Sequence, residues 1–280
     1  MDSATMTQAT LWHADHVFLP PGRMSDLFLV QVVKPFLRDI PDVRAWFFIR
    51  YGERGPHLRI RIATADPAMG EIAHRHWRRC APAFLESTPP GPEWRGSNGP
   101  HITPGSVLTI PYEAETVRYG GELAMPIGER AFCRSTALAL GILAATPDDA
   151  GARIGQAMRL MLASASVLTH DRVAIGALFR AYAEGWRTHL AASGWVPGDA
   201  PVMVIDQDAV RCALEPEDRP TFGSTWVAWL REMIHALDAI GPLTASRQDI
   251  VMSQMHMLCN RLGVSPAMEF HLATQIGGIL

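Results

Sequence analysis

The sequence predicts an α+β protein, with an antiparallel sheet in the N-terminal half packed against a C-terminal helical bundle. Three observations predict this. Residues 57–62, HLRIRI, alternate polar and apolar with a period of two, as a strand with one buried face does. The RAWFFIRY run at 44–51 precedes it across a short YGERGP segment, so the two read as an antiparallel hairpin. Beyond residue 126 the chain reads as helices with Ser, Thr and Pro start signals. The expected organisation is a single domain over 1–280, sheet-rich across 1–125 and helical across 126–280.

Trp12 to Leu19 reads as the first strand, stopped by Pro20-Pro21. Leu27, Val30, Val33 and Leu37 have helical spacing, which predicts a helix over 26–37 that Pro35 ends or kinks. The hairpin follows, then a helix over 69–86. Residues 88–105 hold many Pro and Gly and read as a loop, and 106–112, SVLTIPY, as another strand. Helices are expected over 128–145, 148–164, 170–193, 224–240, 246–261 and 266–275. Thr146-Pro147-Asp148-Asp149, Ser246 and Ser265-Pro266 supply caps. Residues 194–222, with Gly and Pro throughout, are expected to be irregular.

Composition excludes several classes. A hydrophobic fraction of 48% with 19% charged residues is that of a globular protein rather than a disordered one. A net charge of −3 provides no basic field for direct nucleic-acid binding. Lys34 is the only lysine among 25 Lys and Arg residues, so arginine abundance reflects codon usage and only the position of an arginine carries meaning. Cys80, Cys133, Cys212 and Cys259 are widely spaced, with no CxxC pair, and read as reduced thiols rather than metal ligands. The N-terminus lacks a signal-peptide pattern, and the apolar run at 135–146 is too short to span a bilayer. A cytoplasmic protein without a membrane partner is expected.

Three segments hold the candidate chemistry. On the 57–62 strand His57, Arg59 and Arg61 share one face, and two guanidinium forks about 7 Å apart suit a carboxylate or phosphate; a merely solvated face is the alternative. In PYEAETVRYGG, 111–121, Glu115 and Arg118 are three apart and can pair on a helical turn, either as a surface ion pair or with the carboxylate aiming the arginine at a ligand. In SQMHMLCNRLG, 253–263, Asn260 shares a helix face with His256, and Arg261 follows it. His256 is either a core histidine with a satisfied hydrogen bond or a general acid or base, a task its type suits near neutral pH. For Arg261, completing the helix C-terminus before Gly263 is the bland alternative.

In this order, WFFIRYGERGPHLRIRI, YEAETVRYGG and HMLCNRLG resemble the C-terminal elimination domain of class I lanthipeptide dehydratases, which in thiopeptide pathways often stands as a separate protein. The resemblance implies a lyase. A separate tRNA-dependent glutamylating enzyme esterifies Ser or Thr of a leader-bearing precursor peptide with glutamate. The elimination domain then removes the Cα proton and expels glutamate from Cβ, leaving dehydroalanine or dehydrobutyrine. It implies that Arg59, Arg61 and Arg118 hold developing and departing negative charge, and that His256 moves a proton, as base at Cα or acid toward the leaving carboxylate. Glu115 would then orient Arg118, and His57, Asn260 and Arg261 would be substrate-binding neighbours. The chemistry requires neither cofactor nor metal. Self-association as a homodimer is left open.

Two readings compete. Thiopeptide pyridine synthases share this scaffold but perform a formal [4+2] cycloaddition of two dehydroalanines. A non-catalytic subunit could instead bind a leader peptide along the edge of the RAWFFIRY strand. Elimination further requires Arg59, Arg61, Arg118 and His256 to serve one pocket.

Overall fold

The computed structural model describes residues 11–88, 102–192, 194–195, 204–215 and 221–280. The chain divides into two compact units, one formed by 1–114 with 143–148 and the other by 115–142 with 149–280. The architecture is α+β: strands lie in the N-terminal region and the C-terminal part is helical.

The first unit is built on four antiparallel strands, β1 (Leu11–Phe18), β2 (Ala45–Tyr51), β3 (His57–Thr64) and β4 (Val107–Thr109), in the order β2-β3-β1-β4. The expected hairpin is present. Its turn places Arg54 at φ 60° and Gly55 at φ 114°, and Gly55 N–H donates to the Gly52 carbonyl at 3.1 Å. The alternation in β3 also holds, since Leu58, Ile60 and Ile62 are at most 2% exposed. Each such side chain contributes about 1.5–3 kcal/mol by leaving water.

Between β1 and β2 the expected single helix is present with an interruption: α1 (Arg23–Phe28), a π turn (Leu29–Val33) and α2 (Lys34–Asp39). Pro35 offers no N–H and its ring crowds the carbonyl four residues back, and the wider π turn just before it absorbs both defects. The chain therefore neither stops nor breaks at Pro35. The third helix, α3 (Pro67–Ser87), begins two residues ahead of the expectation because Asp66 caps Ala68 N–H at 2.9 Å and Pro67 occupies the first position. Its Trp77 and Phe84 meet Phe28 edge-on. β4 is only three residues long, shorter than the expected 106–112, and sits on the sheet edge before Pro111. Most of the 88–105 loop lies outside the described residues.

The second unit carries α4 (Met125–Ala145, its last residues belonging to the first unit), α5 (Ala150–Ser166), α6 (Arg172–Ala192), α7 (Gln207–Cys212), α8 (Phe222–Asp238), α9 (Arg247–Leu262) and α10 (Pro266–Ile279). Two expectations need correction. The cap of α5 is Asp149, which accepts from Ala152 N–H at 2.8 Å, and not Thr146; Asp148 pairs instead with Arg23 at 2.7 Å. The 194–222 connection contains α7, capped by Asp206 in place of the irregular chain expected there. Residues 196–203 and 216–220 of that connection lie outside the described residues. Ser246 and Ser265 cap α9 and α10 as expected. Gly263, at φ 78°, ends α9 and leaves only Val264 and the Ser265 cap before α10.

Helices α6 and α10 approach closely because glycines face the contact. A Cβ at Gly277 would lie 2.8 Å from Arg180 Cγ, and one at Gly176 would lie 3.0 Å from the backbone of Leu280. A larger residue at either position would push the helices apart. Elsewhere in this unit the buried Trp226 indole donates to Ser164 Oγ at 2.8 Å, joining α8 to α5.

Candidate active site

In the first unit the register of β3 with its neighbours aligns Tyr51, His57 and Phe18 in one row, Ile49, Arg59 and His16 in the next, and Phe47, Arg61 and Ala14 in the third. His57, Arg59 and Arg61 thus share the sheet face opposite Leu58, Ile60 and Ile62, as the sequence implies. The face is not simply solvated, because its cations are framed by rings. The Arg59 guanidinium lies 3.4 Å from the Tyr51 ring centroid, and that of Arg61 lies 5.4 Å from Phe47 and 5.0 Å from Tyr112. Arg59 Nε donates to His57 Nε2 at 3.2 Å, while His57 Nδ1 meets the Gly55 carbonyl at 2.9 Å. That pattern describes a neutral imidazole donating through Nδ1 and accepting through Nε2. Burial pushes the pKa of His57 down, and the Arg59 charge acts in the same direction. His57 thus bridges the Gly55 carbonyl and the Arg59 guanidinium.

His16, a residue the sequence does not single out, stacks on His57 with centroids 4.8 Å apart. Its pKa is pushed down to about 3, first by burial, then by competition with the neighbouring His57 for a proton and by the Arg59 and Arg61 charges. Between its ordinary value of 6.5 and about 3 the unfolded chain binds a proton that the folded chain refuses. Stability contributed by neutral His16 is thus complete above 6.5 and declines as the pH falls toward 3. In denaturant titrations between about pH 7 and about pH 4, His16→Gln should lose less stability than wild type. Equal losses would remove His16 from the acid response.

In the second unit Glu115 and Arg118 pair at 3.2 Å on the turn before α4, with both side chains substantially exposed. Arg118 Nε also donates to Ser253 Oγ on α9 at 3.1 Å. Ser253 lies one helical turn before His256, so the serine ties this guanidinium to the helix that carries the imidazole. Gly120 and Gly121 close the turn at φ 99° and 106°, in the left-handed region that glycine tolerates.

The His256 side chain is 14% exposed. Its Nδ1 lies 2.9 Å from Glu269 Oε1 on α10, and Tyr182 on α6 donates its hydroxyl to Glu269 Oε2 at 2.6 Å. The Trp186 ring packs against the imidazole with centroids 4.9 Å apart. Glu269 is completely buried, and burial pushes its pKa up against the opposing pull of His256, Tyr182 and Arg118. His256 is hydrogen-bonded through Nδ1, and among the described residues Nε2 has no hydrogen-bond partner.

Glu269, Tyr182, Trp186 and Ser253 are absent from the sequence-predicted set. The one available signal for Glu269 is that it is the lone acid of α10, a helix without Lys or Arg. Asn260 lies one turn after His256 on α9. Arg261 is fully buried: Nε donates to Thr136 Oγ1 on α4 at 3.1 Å, Nη1 donates to the Met257 carbonyl at 2.9 Å, and the guanidinium lies 5.4 Å from Phe132. The residue locks α9 to α4. His57, Arg59 and Arg61 therefore belong to the first unit, and Glu115, Arg118, His256, Asn260 and Arg261 to the second. Among the described residues no helix is long and apolar enough to cross a membrane.

Solved structures share this fold. The pyridine synthase TbtD from thiomuracin biosynthesis is similar at 18% identity and a TM-score of 0.68, over 96% of this chain and 97% of that one. TsrL is similar at 18% identity and 0.69, over 97% and 94%. The tRNA-dependent lantibiotic dehydratase MibB from Microbispora sp. 107891 matches at 20% identity and 0.56, over 99% of this chain but only 28% of its own length. No curated protein matches the sequence. The sequence profile of the lantibiotic biosynthesis dehydratase C-terminal family matches residues 12–277, and the chain belongs to that family. Membership sets it among enzymes that modify ribosomally made peptides.

Proposed function

We propose that the protein is a glutamate-eliminating lyase. Its substrate is a leader-bearing precursor peptide whose Ser or Thr hydroxyl has been esterified with glutamate by a separate tRNA-dependent glutamylating enzyme. The reaction breaks the Cα–H bond, forms the Cα=Cβ double bond with the released electron pair, and breaks the Cβ–O bond so that glutamate leaves as a carboxylate. Two physical demands follow: a base at a weakly acidic carbon, and cations for charge growing on the peptide carbonyl and on the departing anion.

The observation that carries this reading is the tie through Ser253, which holds Arg118 on the helix that presents His256. A cation and a proton acceptor are thereby fixed on one rigid element. Glu115 orients Arg118 from the other side. Arg59 and Arg61 serve the same reaction as anion-holding groups, with His57 aiming Arg59. Asn260, one turn after His256 on α9, is read as a peptide-binding neighbour, whereas Arg261, bound to Thr136 and Met257, is read as structural.

The deciding assay offers purified protein a Ser- or Thr-glutamylated peptide without tRNA or ATP and follows loss of glutamate by mass spectrometry. The dehydro peptide is the expected product. A second reading, pyridine synthesis, draws on the likeness to TbtD across nearly the full length of both chains. It prevails if the glutamylated peptide is unchanged while a peptide already carrying dehydroalanines is cyclised.

A further inference from the structure

We propose that Glu269, supported by Tyr182, is a positioning residue that holds His256 with its proton on Nδ1, leaving the Nε2 lone pair to act as the base at Cα. The proposal deepens the elimination reading and rests on it. It assigns a role to a buried carboxylate that the family resemblance does not include. It also assigns His256 the base rather than the acid task.

A carboxylate with no exposed surface persists in a protein interior only when its oxygens are satisfied by donors. Glu269 has one for each oxygen: the Tyr182 hydroxyl at 2.6 Å on Oε2 and His256 Nδ1 at 2.9 Å on Oε1. Tyr182 keeps its proton, because burial, and then the adjacent Glu269, push its phenol well above the ordinary range, and its hydroxyl donates to Oε2. With Glu269 ionised, the remaining bond is an Nδ1–H donating to Oε1, because a carboxylate has no proton to give. A neutral imidazole carries one N–H and one lone pair, so a proton on Nδ1 leaves Nε2 as the acceptor.

Among the described residues nothing else hydrogen-bonds to Nδ1 of the imidazole. From α6 it meets the Trp186 ring, with His189 edge-on to that ring on the same helix. On its own helix Cys259 is kept as a thiol because burial, and then Glu269, push its pKa well up. Burial pushes the pKa of Glu269 up, and His256, Tyr182 and, from the turn before α4, Arg118 pull against it toward the ionised form. The close contact of α6 with α10 through Gly176 and Gly277 lets Tyr182 reach Glu269 at all.

The arrangement also handles the charge of the chemical step. When Nε2 takes the Cα proton, the resulting imidazolium lies beside the Glu269 carboxylate, so a neutral-plus-anion pair becomes an ion pair. An acid role would instead require the proton on Nε2 at the start, which the Nδ1–H bond to Oε1 disfavours.

Glu269→Gln is the discriminating variant because it preserves shape and reverses the hydrogen-bond polarity. Its amide oxygen still accepts from Tyr182, while its NH₂ donates to Nδ1 and drives the proton onto Nε2. Histidine ¹⁵N chemical shifts at neutral pH, with the His256 signal assigned from its loss in His256→Asn, should show a protonated Nδ1 in wild type and a protonated Nε2 in Glu269→Gln. Elimination from the glutamylated peptide should fall about 100-fold or more in kcat, with KM changed by no more than about threefold. Tyr182→Phe, which keeps the carboxylate but removes one donor, should cost about tenfold in kcat. Should Glu269→Gln fail to fold, the wild-type tautomer and the Tyr182→Phe rate carry the test. A wild-type proton on Nε2, or wild-type turnover by Glu269→Gln, overturns the assignment. If wild type leaves the glutamylated peptide unchanged, the elimination reading is what fails; the ¹⁵N spectra still decide whether Glu269 sets the tautomer.

Discussion

His256→Ala is expected to lower elimination by about 1,000-fold and to accumulate the glutamylated peptide, because a positioned general base contributes about 100- to 10,000-fold. Alanine also strips the fully buried Glu269 of one of its two donors, so part of any loss could come from the fold rather than the chemistry. His256→Asn separates the two effects. Its amide can donate toward Oε1 from near the Nδ1 position but has no lone pair where Nε2 stood. The asparagine variant should match wild type in thermal unfolding and match the alanine variant in turnover. Wild-type turnover by both variants would remove His256 from the reaction.

Arg59→Ala should produce the next largest loss, about 100-fold, again with glutamylated peptide accumulating, since removal of a preorganised donor to developing negative charge typically costs about 100- to 1,000-fold. The guanidinium is held by the Tyr51 ring, His57 Nε2 and, at 3.8 Å, Glu53, so it is poised as a fork rather than as a mobile charge. Arg59→Lys keeps the charge and loses the fork and the stacking, and should recover only part of the rate. Full recovery by lysine would mean that charge alone is required; full activity of the alanine variant would refute the assignment. Neither substitution touches the buried Leu58, Ile60, Ile62 face, so thermal stability should change little.

The features legible in the sequence are those whose signal sits within a few residues. The period of two in HLRIRI is a property of the pleat, and the register of β3 against β1 and β2 places the two arginines on one face as that period requires. Glu115 and Arg118 meet because three residues make nearly one helical turn. Ser246 and Ser265 announce α9 and α10 because a side-chain oxygen satisfies a nearby N–H. Where two local signals compete, the sequence is ambiguous. Thr146 and Asp149 both suit a cap, and Asp149 prevails at α5. Pro35 signals a break, yet a π turn carries the helix through it.

By itself the sequence determined the α+β class, the hairpin with its cationic face, the helical C-terminal region and the segment that carries His256, each from periodicity or caps that act over one or two turns. Only the tertiary structure decided what surrounds that imidazole. Glu269 follows it by 13 residues and Tyr182 precedes it by 74, separations at which no backbone period operates. They meet because glycine faces let α6 and α10 approach and because Gly263 turns the chain sharply between α9 and α10. The same holds for Arg261, adjacent in sequence to Asn260 but swung into the α4 contact by the angle of a single helical step.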